Sequence, residues 1–316
     1  MMDENTITVG IPTYNRPDNL VTMIKCLQGQ TYKNINIIVS DNASNESCGI
    51  ENIVSEFINN DSRITYFKQD ENIGAIRNML SILECAKSNY FIWVADDDIF
   101  EDEFLEELHK ALSSNSKASV AITGVDTVDI STKNAIKFDI TKYLQQLSGN
   151  TIYDRLKNHI IQPAEWGKAR LFWGLCKTEI LKNAARDVME QGELNGVDEI
   201  FSMQFPLDMQ LLVYGDVTIV PKTLFHVHLL PSSNGLREGD MFAGKEIELC
   251  DLSYEAYRKV VRNTSLKDNE KKTLIKNINK QERKDLIKII PFYFIKKYSP
   301  WMARVLKKIY FLIFVR

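Results

Sequence analysis

Two hydrophobic periodicities take turns through the first third of the chain, and that alternation restricts the fold more than any other feature. Thr6–Ile11 (TITVGI) is a β-branched run. Asn15-Arg16-Pro17 then supplies a cap residue and a proline near a first helical turn, and Leu20, Ile24 and Leu27 share one helical face. Ile35–Ser40 is a second apolar strand, ended by the polar cluster Asp41–Asn45. Ile50, Val54, Phe57 and Ile58 mark a second helix, Ile64–Phe67 a third strand and Ile73–Ala86 a third helix. Tyr90–Ala95 reads as a fourth strand and Glu101–Leu112 as a fourth helix. Strict succession of this kind implies βαβ crossovers and a mostly parallel, Rossmann-like α/β sheet. Unbroken apolar strands imply that helices cover both faces. Such sheets bind ligands at the carboxyl ends of their strands. The clusters Pro12–Asn15, Asp41–Asn45 and Asp96–Asp98 all lie there, so they are expected to converge on one crevice.

The pattern loosens after about Ser119. Ala118–Thr123, Ile136–Ile140, Val217–Val220 and Leu224–Val227 read as strands, and Ile161–Cys176 is mixed. Asp198–Tyr214 reads as one or two helices broken or kinked at Pro206. Beyond Gly239 the chain reads as helical. The expected division is one domain over 1–238, in two halves that meet at about 115 and 116, then a helical extension over 239–316.

Five scattered cysteines with no C-x-x-C pair argue against a zinc ribbon or redox motif and for a cytoplasmic protein. The acidic, polar N-terminus does not read as a signal peptide, and no run reaches the roughly 18 apolar residues of a spanning helix. Charge is uneven. From Lys280 to Arg316 ten basic side chains face only Glu282 and Asp285. Mixed with aromatic residues and broken by Pro291 and Pro300, this tail has the character of a segment lying on a membrane surface; packing on the body is its other reading.

Asp96, Asp97 and Asp98 are the sharpest chemical feature. Adjacent carboxylates at a strand end repel one another unless a cation sits among them. Hard oxygen donors of this type suit Mg²⁺ or Mn²⁺ beside a diphosphate. Asp98-Ile-Phe-Glu101 also has the form of a capping box. Asp41 suits either a turn or a base and ribose contact. Gly74 at a helix start lets backbone N–H groups approach a phosphate, and Arg77 follows one turn on. No G-x-G-x-x-G follows the first strand, which removes a dehydrogenase. The Pro-Thr-Tyr-Asn loop is not the Gly-rich basic loop of a nucleotidyltransferase. No nucleic-acid-binding motif is present.

Taken in order, Val9–Arg16 (VGIPTYNR), Ile37–Ser44 (IIVSDNAS), Asn72–Asn78 (NIGAIRN) and Tyr90–Asp98 (YFIWVADDD) resemble the motifs of family 2 glycosyltransferases of the GT-A type, enzymes of bacterial polysaccharide synthesis. The resemblance covers roughly residues 6–110 and implies a GT-A fold with a helical C-terminal extension. It implies that Pro12, Thr13, Tyr14 and Asn15 line a nucleotide pocket, that Asp41 meets the base or ribose, and that Asp96 lies near the ribose. Asp97 or Asp98 would hold the divalent cation, and Arg77 a phosphate. Many members carry D-x-D-D, whose first acid falls here on Ala95. The general base is expected at Asp198 or Glu199, with Asp208 as a further candidate. His226 and His228 point to one face of a strand, and His228 is the expected metal ligand. Trp93, Trp166, Phe172 and Trp173 divide between core and sugar platform.

The implied activity is inverting transfer of a sugar from a UDP-, dTDP-, GDP- or CDP-linked donor to a glycan or lipid-linked acceptor. It would occur in the cytoplasm, with peripheral attachment to the inner face of the plasma membrane. The non-catalytic alternative is a sugar-nucleotide-binding scaffold of a polysaccharide assembly complex.

Overall fold

The computed structural model describes residues 5–129, 134–136, 145–162, 168–191, 199–229 and 246–298. Its first half follows the alternation. β1 (Ile7–Thr13), α1 (Pro17–Gly29), β2 (Ile35–Asp41), α2 (Ile50–Asn60), β3 (Ile64–Lys68), α3 (Ala75–Cys85) and β4 (Tyr90–Trp93) succeed one another. β3, β2, β1 and β4 lie side by side in parallel. Thr13 is level with Asp41 across the β1–β2 ladder, so both strands end at the same edge. β1, β2 and β4 are buried along most of their length, as a two-sided cover requires, while β3 is the more open edge strand. Gly10 lies mid-β1 because a Cβ there would stand 2.7 Å from Ile82 and 3.0 Å from Phe91.

The second half continues the same sheet differently. β5 (Ile99–Phe100), α4 (Phe104–Ser114), β6 (Ala118–Asp129), β7 (Asn134–Ile136), β8 (Leu175–Lys177) and β9 (Asp216–Leu229) extend it in the order β4-β8-β6-β9-β5, with β7 on β6. β8 runs antiparallel to β4 and β6, whereas the long β6–β9 ladder is parallel. The two short strands expected at 217–220 and 224–227 are one strand, β9, whose pairing with β6 shifts register near Gly124. A bulge absorbs the irregular residues without ending the ladder.

α5 (Ile152–Ile161), α6 (Thr178–Gln191), α7 (Glu199–Tyr214), α8 (Glu246–Asn263) and α9 (Asp268–Tyr298) complete the described elements. Pro206 lies within α7, and α9 runs through Pro291. α8 packs against α7, and α9 against α8 and α5. Tyr257, Val260, Val261, Leu274 and Ile278 are buried in these contacts, so the described part of the C-terminal extension docks on the body. No described helix is long and apolar enough to cross a membrane.

Candidate active site

The crevice is built from the strand ends. After β1, Asn15 adopts φ 56°, and after β2, Ala43 adopts φ 59°. A non-glycine residue seldom enters this left-handed region, and alanine has no side-chain hydrogen bond to offset the strain. The two turns are tied together. The Asn15 N–H donates to Ser44 Oγ at 2.7 Å, and the Asn45 N–H donates to Asn15 Oδ1 at 2.8 Å. Asp41 is almost wholly buried. Its Oδ1 accepts from the Ser44 N–H at 2.9 Å, and its Oδ2 from the Tyr66 hydroxyl at 3.2 Å. Asp41 therefore performs the turn role, while a carboxylate with two bonds retains further acceptor capacity. Tyr14, 43% exposed, is the one side chain of its loop left as an open aromatic face.

The N-x-G-x-x-x-N stretch is a brace. Asn72 Oδ1 accepts from Asn42 Nδ2 and the Gly74 N–H, both at 3.0 Å, while Asn42 Oδ1 accepts from the Ile73 N–H. Gly74 has φ 84° and ψ 159°, a conformation essentially restricted to glycine. The buried Asn78 receives the Ser40 hydroxyl at 2.6 Å and donates to the Ser40 carbonyl at 3.1 Å. Arg77 is exposed on the first turn of α3.

Beyond β4 stands the acidic turn. Asp96 is buried, and its Oδ2 accepts from the Thr13 hydroxyl at 2.9 Å. Its Oδ1 pairs with Arg16 Nη1 at 3.0 Å. The same nitrogen reaches Asp97 Oδ2 at 3.3 Å. Burial works against the Arg16 charge, but Asp96 and Asp97 outweigh it and hold its pKa above the usual range. Burial raises the Asp96 pKa, Arg16 pulls the other way, and Asp97 adds to the rise. Asp98 is pushed well above the ordinary carboxylate range, first by burial and then by Asp97, against an attraction to Arg170. Its carboxylate accepts no hydrogen bond from the described residues. Arg170, in the 3₁₀ turn Lys168–Trp173, is lowered by its own burial and lies 5.5 Å over the Phe225 ring. The adjoining small cavity is lined by Thr123, Arg170, Trp173 and Phe225.

The capping box does not form. Ile99 and Phe100 pair as β5 with His226 and Phe225 of β9, and α4 starts only at Phe104. Tertiary pairing with β9 thus overrides the local capping signal. Glu101 instead meets His226 Nε2 at 3.0 Å, while Nδ1 of the same ring meets Asp126 at 2.5 Å. β9 therefore presents His226 to two carboxylates. The backbone of His228 lies on the same strand, and its side chain falls outside the described residues.

Other expectations divide. Trp93 is core, donating to the Met79 carbonyl at 2.9 Å and stacking on the buried Phe172 at 5.1 Å, so neither ring forms a sugar platform. Trp173 is partly buried against the core, while Trp166 lies outside the described residues. Asp208 is fully buried in α7, with Cys176 and Tyr257 in its electrostatic surroundings. That burial separates it from solvent and from an acceptor. Glu199 opens α7, and Asp198 lies outside the described residues.

The turn suits a hard cation by donor chemistry, since it offers carboxylate oxygens alone. Among the described residues, no group of three or more His, Cys, Asp and Glu side chains is already gathered as a metal set. Arg16 draws Asp96 and Asp97 to itself instead. Arg16, Arg170, Glu101 and Asp126 were missed from the sequence. Arg16 had a signal, as a cation following a strand-end loop that must meet a second, acidic strand end.

Comparison with known proteins adds to this geometry. The model of glycosyl transferase family 2 matches residues 8–174. Glycosyltransferase GlyA of Streptococcus pneumoniae is 35% identical over 112 residues, 35% of this chain and 16% of that protein. The chain spans well under two thirds of the curated relatives it matches. S. aureus TarS 1-349, solved with UDP-GlcNAc, shares the fold at TM-score 0.62 and 12% identity, covering 87% of this chain and 72% of that one. The mannosyltransferase PcManGT of Pyrobaculum calidifontis, solved with GDP-Man and Mn²⁺, aligns at TM-score 0.50 and 13% identity over 97% of this chain and 84% of that one.

Proposed function

Because the chain belongs to glycosyl transferase family 2, we propose that it moves a sugar from a nucleotide diphosphate donor to an acceptor hydroxyl with inversion. The observation that carries this reading is the meeting of the β1, β2 and β4 ends, with Thr13 bonded to Asp96 across the crevice. TarS and PcManGT, which share the fold, are solved with UDP-GlcNAc and with GDP-Man and Mn²⁺.

The nucleotide is assigned to the Pro12–Asn15 loop. Tyr14 supplies a face for the base, and Asp41, fixed by Ser44 and Tyr66, keeps acceptor capacity for a base or ribose donor. Asp97 and Asp98 would hold Mn²⁺ or Mg²⁺, with His228 as a further ligand. When bound, the ion neutralises the departing diphosphate as a Lewis acid. Asp96, locked by Thr13 and Arg16, positions this turn beside the ribose. Arg77, exposed at the α3 start, is assigned to phosphate. The base that takes the acceptor proton is Asp198 or Glu199, the latter the first residue of α7. The acceptor is a lipid-linked or growing surface glycan, and the basic C-terminal region holds the enzyme at the inner face of the plasma membrane.

Asp97→Asn tests the reading. Nucleotide diphosphate release with acceptor should fall on the order of a hundredfold or more while the melting temperature holds. Undiminished transfer by this variant, or in excess chelator, would refute the metal role. Donor binding with no transfer to any acceptor would favour the scaffold alternative.

A further inference from the structure

Three carboxylates in sequence must find positive charge, and the fold supplies it from within. Arg16 stands at the N-cap of α1, and one of its nitrogens is shared between Asp96 and Asp97. The two contacts are unequal. Asp96 is held on both oxygens, at 2.9 Å by Thr13 and at 3.0 Å by Arg16, and its side chain is 5% exposed. Asp97 has the longer contact, 3.3 Å, and is 14% exposed. Asp98 is buried and has Arg170 as its opposing charge. An incoming cation therefore meets one acid held on both oxygens, one held weakly, and one buried beside a second arginine.

We propose that Arg16 is the resident counter-cation of the acidic turn, competing with a divalent ion for Asp97 and remaining on Asp96 when that ion arrives. This rests on the assignment of Asp97 to the metal. The guanidinium keeps the turn from flying apart before the donor binds, since without it Asp96 and Asp97 repel each other in a partly buried site. The same positive charge opposes a second one nearby, so the ion alone binds weakly. A donor that brings its own diphosphate negative charge offsets that opposition. Arg16 thereby couples ion binding to donor binding: the two bind together more strongly than either alone.

The experiment is Mn²⁺ binding to the whole chain without nucleotide, followed by electron paramagnetic resonance of the free ion. Arg16→Gln should bind Mn²⁺ roughly tenfold more tightly than the unaltered protein, and should lose most of the increase in Mn²⁺ affinity that a nucleoside diphosphate confers. Equal or weaker binding by Arg16→Gln would overturn the proposal. If that variant does not fold, Arg16→Met decides. Methionine keeps an apolar stem and drops the charge, so a similar gain is expected, and no gain overturns the proposal. Asp97→Asn separates the two levels. Loss of Mn²⁺ binding there, alongside an unchanged Arg16→Gln, leaves the metal site standing and removes only the role of Arg16. Unchanged binding by Asp97→Asn removes the metal site and this inference together.

Discussion

The two halves of the sheet solve one problem by different means. On the β1–β2–β3 side, the crevice loops are braced by short uncharged hydrogen bonds: Ser40 with Asn78, Asn42 with Asn72, Asn15 with Ser44. On the β6–β9–β5 side, the braces carry charge: His226 between Asp126 and Glu101, and Arg170 beside Asp98. Neutral braces are insensitive to salt and pH, and they hold one geometry. Charged braces in a half-open site are screened by salt and respond to ligand charge. The β1–β2–β3 side is thus held in one geometry, and the β6–β9–β5 side is adjustable.

The sharpest test of that contrast is Asn78→Ala. It removes the acceptor of the buried Ser40 hydroxyl and a donor to the Ser40 carbonyl, and should cost about 2–3 kcal/mol by urea denaturation. The loss should be the same at low and high salt. His226→Ala should cost less, about 1–2 kcal/mol, and the loss should shrink in high salt. A salt-independent loss there would break the comparison. Asp98→Asn removes a buried carboxylate that Asp97 repels. Because it also strips the buried Arg170 of its opposing charge, the net effect should be a loss of stability of about 1 kcal/mol or more, read by urea denaturation, and transfer should fall as well.

The smallest effect concerns Asp61, outside the crevice. Arg63 hydrogen-bonds this side chain at 2.7 Å and holds its pKa well below the usual range. A depressed folded-state pKa means stability that is complete above the unfolded value near ~3.9 and is lost as pH falls through the folded one. Arg63→Gln should therefore lower stability by on the order of 1 kcal/mol or less at neutral pH. The difference from the unaltered protein should vanish in strong acid, as read by thermal melts across pH.

Much of the first half was legible because its signals are local. Apolar runs such as Ile35–Ser40 and the helical face Leu20, Ile24 and Leu27 need only their own periodicity, and β2 and α1 form where they stand. The second half was less legible. Ile99 and Phe100 carried a capping signal, but pairing with β9 from more than a hundred residues away made them a strand. The two strands expected at 217–220 and 224–227 fused because β6 offered one long partner. Asp208 looked available as a helix acid until α8 was seen to pack on α7 and bury it.

Residue patterning alone carried the parallel strands β1 to β4, the three polar strand ends and the presence of an acidic turn, because periodicity follows from neighbouring residues. What each acid touches was set by contacts between distant segments. Thr13 and Arg16 reach Asp96 across 83 and 80 residues of chain, and Arg170 approaches Asp98 from another segment. Hydrogen bonding and electrostatic interaction depend on distance in space, so the three carboxylates became distinct only once the strands were laid side by side.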